Sequence, residues 1–544
     1  MSTIPARVHR NAEQFGDRPA LSLAGNTITW RDVQLRIAQI AQGLTSLGVD
    51  RGDRVALMIS DRPEHWLADQ AAVHIGAVPT TVYATMPSSQ VAFVAQHSRS
   101  KVAILEGADQ VGRWLPVLGE LPEMRHVVVL DPDALVSGDD RFVAWSEIVV
   151  EKPDLATFES TWRAIAPDDP AALIYTSGTT GVPKGVVLTH LNLIANVESL
   201  DAASHIPGHF SNVCYLPLAH IAERVVSIYM PILKAGHVTF CPDPNQLLGV
   251  LVQTRPNLFF GVPRVWEKLK AGLSARPEAT LANVGLDRVE WAFSAGAPLS
   301  LDVQEYFRAR GIPILEGFGM TETTGVATTT SIEELRLGSV GRATTGNEIK
   351  LLEDGEVLIR GPIVCAGYLQ ESGSVEPATD AEGWMHTGDV GRLDADGFLS
   401  IIDRKKELII TSGGKNIAPV AIESLLKRHA LVGEALAYGD RRPYVVALIV
   451  LDPETAPAWA ASRGITYSSL AELSEHPDVL AEIGLAVAAA NEELARVEQV
   501  KTFHMLPTEW TVDSGELTPS LKMKRRVVQD KYHEAIEALY AAGY

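Results

Sequence analysis

Between about residues 27 and 408 of the 544-residue chain, short apolar runs rich in β-branched residues alternate with longer amphipathic segments. Arg54–Ile59, Val102–Leu105, Ala171–Tyr175 and Asn257–Gly261 have the length and composition of buried strands. Trp30–Leu47 instead spaces its apolar positions at helical intervals, which predicts a helix with one buried face. The repeated order of strand, loop and helix predicts an α/β fold of largely parallel sheets covered by helices, with ligand sites on the loops that leave the strands. Past Arg404 the pattern changes. A strand over Leu408–Thr411, a Ser-Gly-Gly turn, a helix over Ala421–His429 and a strand pair, Glu434–Tyr438 with Val445–Leu451, predict a smaller α+β domain. The Ala/Glu-rich stretch from Asp452 to Glu498 predicts further helix. The expected division is a large N-terminal domain of several α/β subdomains over residues 1–403 and a smaller domain over 404–544.

Composition narrows the partners. A chain this long exceeds one ordinary core, and 46% hydrophobic with 21% charged residues fits packed globular domains. Forty-seven Lys+Arg against 67 Asp+Glu leave a net charge of −20, which repels nucleic acid at long range but leaves open a small phosphorylated ligand in a focused pocket. The three cysteines, Cys214, Cys241 and Cys365, form no CxxC pair, so neither a disulfide framework nor a cysteine zinc site is expected. The first residues lack the apolar core of a secretory signal, and no apolar run of about 18 residues follows. A cytoplasmic protein without a transmembrane segment is expected.

Candidate chemistry concentrates in Leu173–His190, LIYTSGTTGVPKGVVLTH. An apolar strand runs into a loop whose Gly178, Gly181 and Gly185 can turn backbone amides toward an anion. The hydroxyls of Thr176, Ser177, Thr179 and Thr180 can donate to phosphate oxygens, and Lys184 adds a positive charge. Pro183 stands where a Walker A loop has its second glycine, which disfavours a P-loop NTPase. A glycine cluster alone is no more than a surface turn. The full string is more specific.

TSGTTGVPKG resembles the phosphate-loop signature of the adenylate-forming family of acyl-CoA synthetases, luciferases and adenylation domains. Further blocks follow in that family's order: LPLAHIAER (Leu216–Arg224), GVPRVWEKL (Gly261–Leu269), SAGAPL (Ser294–Leu299), EGFGMTET (Glu316–Thr323), GWMHTGD (Gly383–Asp389) and DRKKELIITSGGKNIAP (Asp403–Pro419). LPLAHIAER, PRVWEKL and GELTPSLKMKRR are similar to the long-chain acyl-CoA synthetase branch.

The resemblance implies ATP, Mg²⁺ and coenzyme A, and a fatty acid as the acid activated. It implies that Thr321 bonds the α-phosphate, that Glu322 is the metal ligand, and that Phe318 with the Gly296–Ala297 backbone flanks adenine. Taken alone, Thr321–Glu322 reads as a helix cap with an acidic first turn. Asp389 and Arg404 would hold the ribose, although a turn aspartate and a surface ion pair to Asp403 explain them equally well in isolation. Lys522 aligns with the family's adenylation lysine, with Leu521 where a glycine is usual and Lys524 as a competitor.

Lys406 would be the hinge of a rotating C-terminal domain, and Gly413 and Gly414 would line the pantetheine tunnel. His220 would sit near the carboxylate or the mouth of the acyl pocket, yet a lone histidine after an apolar run also serves as a cap; Glu223 and Arg224 are expected to pair with each other or with solvent. Trp266 is open between acyl pocket and core. Two alternatives share the first half-reaction: an acyl-AMP ligase donating to a carrier protein, and a synthetase for an aryl or amino acid. The chain ends soon after Lys522, so a carrier would be a separate protein. A non-catalytic binder would have lost Lys184, Glu322, Asp389, Arg404 or Lys522, and all five are present. An apolar substrate is compatible with loose membrane attachment. Acyl chain length and oligomeric state stay open.

Overall fold

The computed structural model describes residues 3–176, 183–276, 278–412, 415–512, 514–518 and 522–541. Contacts divide the chain into two compact units, one made of Met1–Lys350, Leu358–His386 and Leu393–Ser400, the other of Leu351–Val357, Thr387–Arg392 and Ile401–Tyr544.

The first unit layers sheets and helices. Its five-stranded parallel sheet runs in the order Val78–Thr81, Arg54–Met58, Ser100–Leu105, His126–Val129, Phe142–Ala144. Parallel pairing needs crossover connections, and the helices Pro63–His74 and Ser88–Ser98 supply two of them. Such a sheet is covered on both faces, so its strands read as unbroken apolar runs. The Trp30–Ser46 helix starts on a reciprocal cap: the Thr29 hydroxyl accepts the Asp32 amide, and the Asp32 carboxylate takes the Thr29 amide. Its buried face carries Val33, Ile37, Ile40, Ala41 and Leu44 into the main core.

A second five-stranded sheet joins Leu258–Phe260, Trp291–Ser294 and Ile314–Met320 in parallel, then turns antiparallel through Gly325–Thr329 and Arg342–Ala343. Trp266 is fully buried beside it, edge-on to Phe259 and Phe307 at 5.0 and 4.9 Å, so this indole is core. The expectation of largely parallel sheets meets a local exception. The strands around the phosphate-loop sequence, Pro170–Thr176 and Lys184–Thr189, are an antiparallel pair extended by Gly367–Leu369 and Val375–Glu376. Only a short connection separates them, too short for a parallel crossover.

In the second unit, Val432–Tyr438 pairs antiparallel with Val445–Leu451, which pairs parallel with Val500–Leu506. The helices Ala456–Ser462, Leu470–Ser474 and Pro477–Glu492 fall within the stretch read as helical. The helix expected over Ala421–His429 is Pro419–Leu426; it begins earlier because Pro419 presets the first turn and needs no amide partner there.

Among the described residues no helix is long and apolar enough to cross a membrane.

Candidate active site

The strand register brings the first set of residues together. Ser294 lies beside Glu316 in the parallel pair, so the chain leaving one strand at Gly296–Ala297 and the chain continuing to Phe318 emerge side by side at the carboxyl ends. Gly296 has φ +92°, a conformation glycine adopts without strain, and it is exposed with Ala297, whereas Phe318 is half-buried. Glu316 ties the loop down: its carboxylate accepts the Leu299 amide at 3.2 Å and the Gln304 side-chain amide at 2.6 Å. Burial pushes this carboxyl up to about 7.

The strand reaches Met320 and turns back through a single 3₁₀ turn, Thr321–Thr323, rather than the start of a longer helix. The return strand passes so close that a Cβ on Gly319 would stand 1.6 Å from the Gly325 carbonyl oxygen. Thr321 is half-buried and Glu322 buried. Asn196 holds the turn from behind, donating to the Val326 and Thr323 carbonyls at 2.9 and 3.3 Å.

The antiparallel sheet brings Lys184 to the same place. Thr176 ends its strand opposite Lys184 and is half-buried. Tyr368, opposite Val186 on the neighbouring strand, donates its hydroxyl to Glu322 Oε1 at 3.2 Å, and the Lys184 ammonium sits 4.8 Å from the centre of its ring. The Cys365 amide donates to the Glu322 carbonyl at 2.8 Å. Sequence reasoning named Lys184 and Glu322 but missed Tyr368; its only signal was a Gly-Tyr pair after an apolar run. Ser177, Gly178, Thr179, Thr180 and Gly181 lie outside the described residues, as do Gly413 and Gly414.

A second set lies within the second unit. Asp389, buried, faces Arg404 with Nε 3.4 Å from Oδ1. Lost hydration raises the Asp389 carboxyl to about 6, against the opposing pull of Arg404 and Lys522. The Thr518 amide donates to the Lys522 carbonyl at 2.8 Å, and the Thr518 hydroxyl accepts the Lys522 amide at 3.0 Å. Loss of hydration and then the Arg404 guanidinium lower the Lys522 pKa; Asp389 and Glu407 oppose this. Glu407 is a further residue the sequence did not flag. Lys524 donates its amide to the Glu516 carbonyl at 2.7 Å and caps the following helix, Arg525–Lys531. Asp403 accepts the Arg404 amide and, at 3.1 Å, the Val420 amide, so it binds backbone rather than the Arg404 guanidinium as an isolated surface pair would. Lys406 is exposed in the turn that follows.

His220 is the N-cap of the short helix Ile221–Arg224, its Nδ1 accepting the Ala222 amide at 3.2 Å. Asp61 supports the same loop through the Leu218 amide at 3.1 Å. The expected mutual or solvent pairing of Glu223 and Arg224 is corrected: consecutive residues on a helix do not face each other, and both are buried. Glu223 accepts from Ser227 at 2.5 Å, and Arg224 donates to Asp69, Thr81 and Tyr229 at 2.7, 3.0 and 2.9 Å.

Loss of hydration raises the Glu223 carboxyl to about 7, against hydrogen bonds from Ser227, Cys214 and the Leu216 backbone that favour its charged form. A carboxyl that holds its proton more tightly folded than unfolded contributes stability below its unfolded value near 4.5, and that contribution is lost as pH rises toward 7. Between pH 4.5 and 8, Glu223→Gln should therefore gain on the wild type by roughly 3 kcal/mol, read from urea unfolding across pH. Parallel pH profiles would refute this.

Residues 8–369 match the family model described as AMP-binding enzyme, and residues 406–543 match AMP-binding enzyme C-terminal domain. The chain belongs to the AMP-binding enzyme family. Relatives place it in the long-chain acyl-CoA synthetase branch of the adenylate-forming enzymes. It is 35% identical to the long-chain-fatty-acid–CoA ligase FadD15 of Mycobacterium bovis over 94% of this chain and 92% of that one. It is 31% identical to the long-chain-fatty-acid–CoA ligase heimdall of Drosophila melanogaster over 99% and 95%. Among solved structures, the o-succinylbenzoate coenzyme A synthetase of Bacillus subtilis, in complex with ATP and magnesium ion, superposes with a TM-score of 0.74 at 23% identity, covering 96% of this chain and 98% of that one. The likeness covers both matched domains, and an AMP-binding match together with CoA-ligase relatives implies ATP and coenzyme A as substrates.

Proposed function

We propose that the chain activates a fatty acid with ATP and passes the acyl group to coenzyme A. A carboxylate oxygen of the acid bonds to the α-phosphorus of ATP, the bond from that phosphorus to the bridging oxygen breaks, and pyrophosphate leaves behind acyl-AMP. The coenzyme A sulfur then bonds to the acyl carbon, AMP departs with the former carboxylate oxygen, and the thiol proton passes to solvent. The observation that carries this reading is the Glu322, Tyr368 and Lys184 set beside the phosphate-loop strands, in a chain alike to fatty-acid ligases over nearly its whole length.

The difficulty of the first step is charge, since an anion must approach an anionic nucleotide. Lys184 supplies a cation at the phosphate loop, and Thr176, Ser177, Gly178, Thr179, Thr180 and Gly181 supply hydroxyl and amide donors along the polyphosphate. Thr321 donates to the α-phosphate. Glu322 offers hard carboxylate oxygens, the donor type Mg²⁺ takes alongside nucleotide oxygens, and it is the residue that would hold the ion. Bound with ATP, Mg²⁺ adds positive charge where the pyrophosphate oxygens gain negative charge. Phe318 and the Gly296–Ala297 backbone flank adenine; Asp389 accepts from the ribose hydroxyls and Arg404 contacts the same sugar. His220, the cap of the Ile221–Arg224 helix, lies near the acid's carboxylate or the mouth of its pocket. Lys522 neutralises charge during adenylation.

The second step needs a thiol where that lysine stood. A mobile C-terminal domain over 404–544, turning about Lys406 against a body of 1–403, satisfies both half-reactions in sequence, and Gly413–Gly414 allow the thin pantetheine arm to approach. The enzyme would work in the cytoplasm, in loose contact with membranes that hold its apolar substrate.

The test is product analysis with ATP, Mg²⁺ and acids from acetate to oleate, with and without coenzyme A. Acyl-CoA and AMP in equal amounts, best with medium or long acids, is the expected result. Acyl-AMP that accumulates despite coenzyme A would transfer the reading to a carrier-dependent ligase, and absence of pyrophosphate with every acid would reject a fatty acid as substrate.

A further inference from the structure

Tyr368 stands between Lys184 and Glu322 and touches both. The antiparallel register pairs it with Val186, so Lys184, two residues along, is its diagonal neighbour on the same face of the sheet. That geometry explains why the ammonium lies 4.8 Å from the ring centre. From the other end of the same side chain, the hydroxyl reaches Glu322 Oε1 at 3.2 Å. The amide of nearby Cys365 binds the Glu322 main chain, fixing the distance between strand and turn. A phenol keeps its proton at neutral pH and a carboxylate oxygen only accepts, so Tyr368 is the donor in this bond.

We infer that Tyr368 is a positioning residue for adenylation: its hydroxyl holds Glu322 in the orientation that receives the nucleotide's metal ion, and its ring holds Lys184 extended toward the phosphates. The inference rests on the reading of Glu322 as the metal ligand. One carboxylate oxygen is occupied by the phenol, which stops the side chain from rotating and leaves the second oxygen for a cation. The ring face steadies a flexible lysine without neutralising it, because a cation–π contact supplies no counter-charge. One residue thus contacts both the cation and the carboxylate.

The two halves of the side chain are separable. Tyr368→Phe retains the ring and loses the hydroxyl; Tyr368→Leu loses both. Binding of ATP by the full-length protein is measured by titration calorimetry across Mg²⁺ concentrations, without acid, together with binding of AMP in EDTA. Tyr368→Phe should need about 10-fold more Mg²⁺ for half-maximal ATP binding. Its affinity for AMP and its ATP affinity at saturating Mg²⁺ should stay within about threefold of wild type, and Tyr368→Leu should lose ATP affinity even at saturating Mg²⁺. Glu322→Gln is the control for the underlying reading. If Glu322→Gln leaves the Mg²⁺ requirement unchanged, the metal-ligand reading falls and this inference with it. A shift in Glu322→Gln with none in Tyr368→Phe overturns the inference alone, as does a parallel loss of AMP binding in Tyr368→Phe.

Discussion

Replacing Lys522 by alanine should lower acyl-adenylate formation from ATP by about 10²- to 10³-fold, while acyl transfer from supplied acyl-AMP to coenzyme A stays within a few-fold of wild type. The asymmetry follows from when charge appears. Negative charge builds on the phosphates as pyrophosphate leaves, and a nearby ammonium stabilises that moment more than the ground state. In thioester formation the bond that breaks is at the acyl carbon and no pyrophosphate leaves; charge builds instead on the departing AMP oxygen, after the lysine has been withdrawn in the proposed domain rotation. Lys522 is exposed, with the Arg404 guanidinium opposing its charge and Asp389 and Glu407 favouring it. A cation kept in place at that electrostatic cost is the kind of group found where a ligand's negative charge completes the balance. Single-turnover measurement of each half-reaction separates the two, and equal losses in both would reject the role. Lys524→Ala, whose backbone caps a helix, should leave both half-reactions within a few-fold of wild type.

The second large effect concerns stability. Arg224→Met should cost about 3–5 kcal/mol, because it strands a buried carboxylate. Arg224 and Asp69 are 1% and 0% exposed at their side chains and lie 2.7 Å apart, with Thr81 and Tyr229 taking further donors of the guanidinium. With the cation removed, Asp69 must keep an unpaired charge in the core or take up a proton. Replacing both, Arg224→Met with Asp69→Leu, should recover most of the loss, since an apolar pair of similar volume leaves no unpaired charge. Urea unfolding of the three variants measures this. A double variant as unstable as Arg224→Met alone would show that hydrogen bonding to Thr81 and Tyr229, rather than the stranded charge, carries the effect.

Periodicity made the strands legible wherever burial on both faces forced an apolar run. Val445–Leu451 is read to the residue because every position in it is buried. Helix ends were less legible, since Pro419 could be read either as a breaker before Ala421 or as the first residue of a turn, and geometry decides between them. Motif strings led to Lys184, Glu322, Asp389 and Arg404 because those wordings resemble a known family. They did not lead to Tyr368, whose relation to Lys184 exists only once two strands far apart in sequence adopt one register. Arg224 was misjudged for a similar reason. Its partner Asp69 lies on the distant helix Pro63–His74, and no local spacing announces such a pair.

The close approach of Gly319 to the Gly325 carbonyl bears on how this scaffold can be altered. Where two chains touch backbone to backbone, as at Gly319, a larger residue cannot be accommodated by a neighbouring side chain giving way. A library aimed at acid specificity should therefore leave position 319 as glycine and draw its variation from elsewhere, because any side chain there would push apart the strands that carry the Thr321–Glu322 turn.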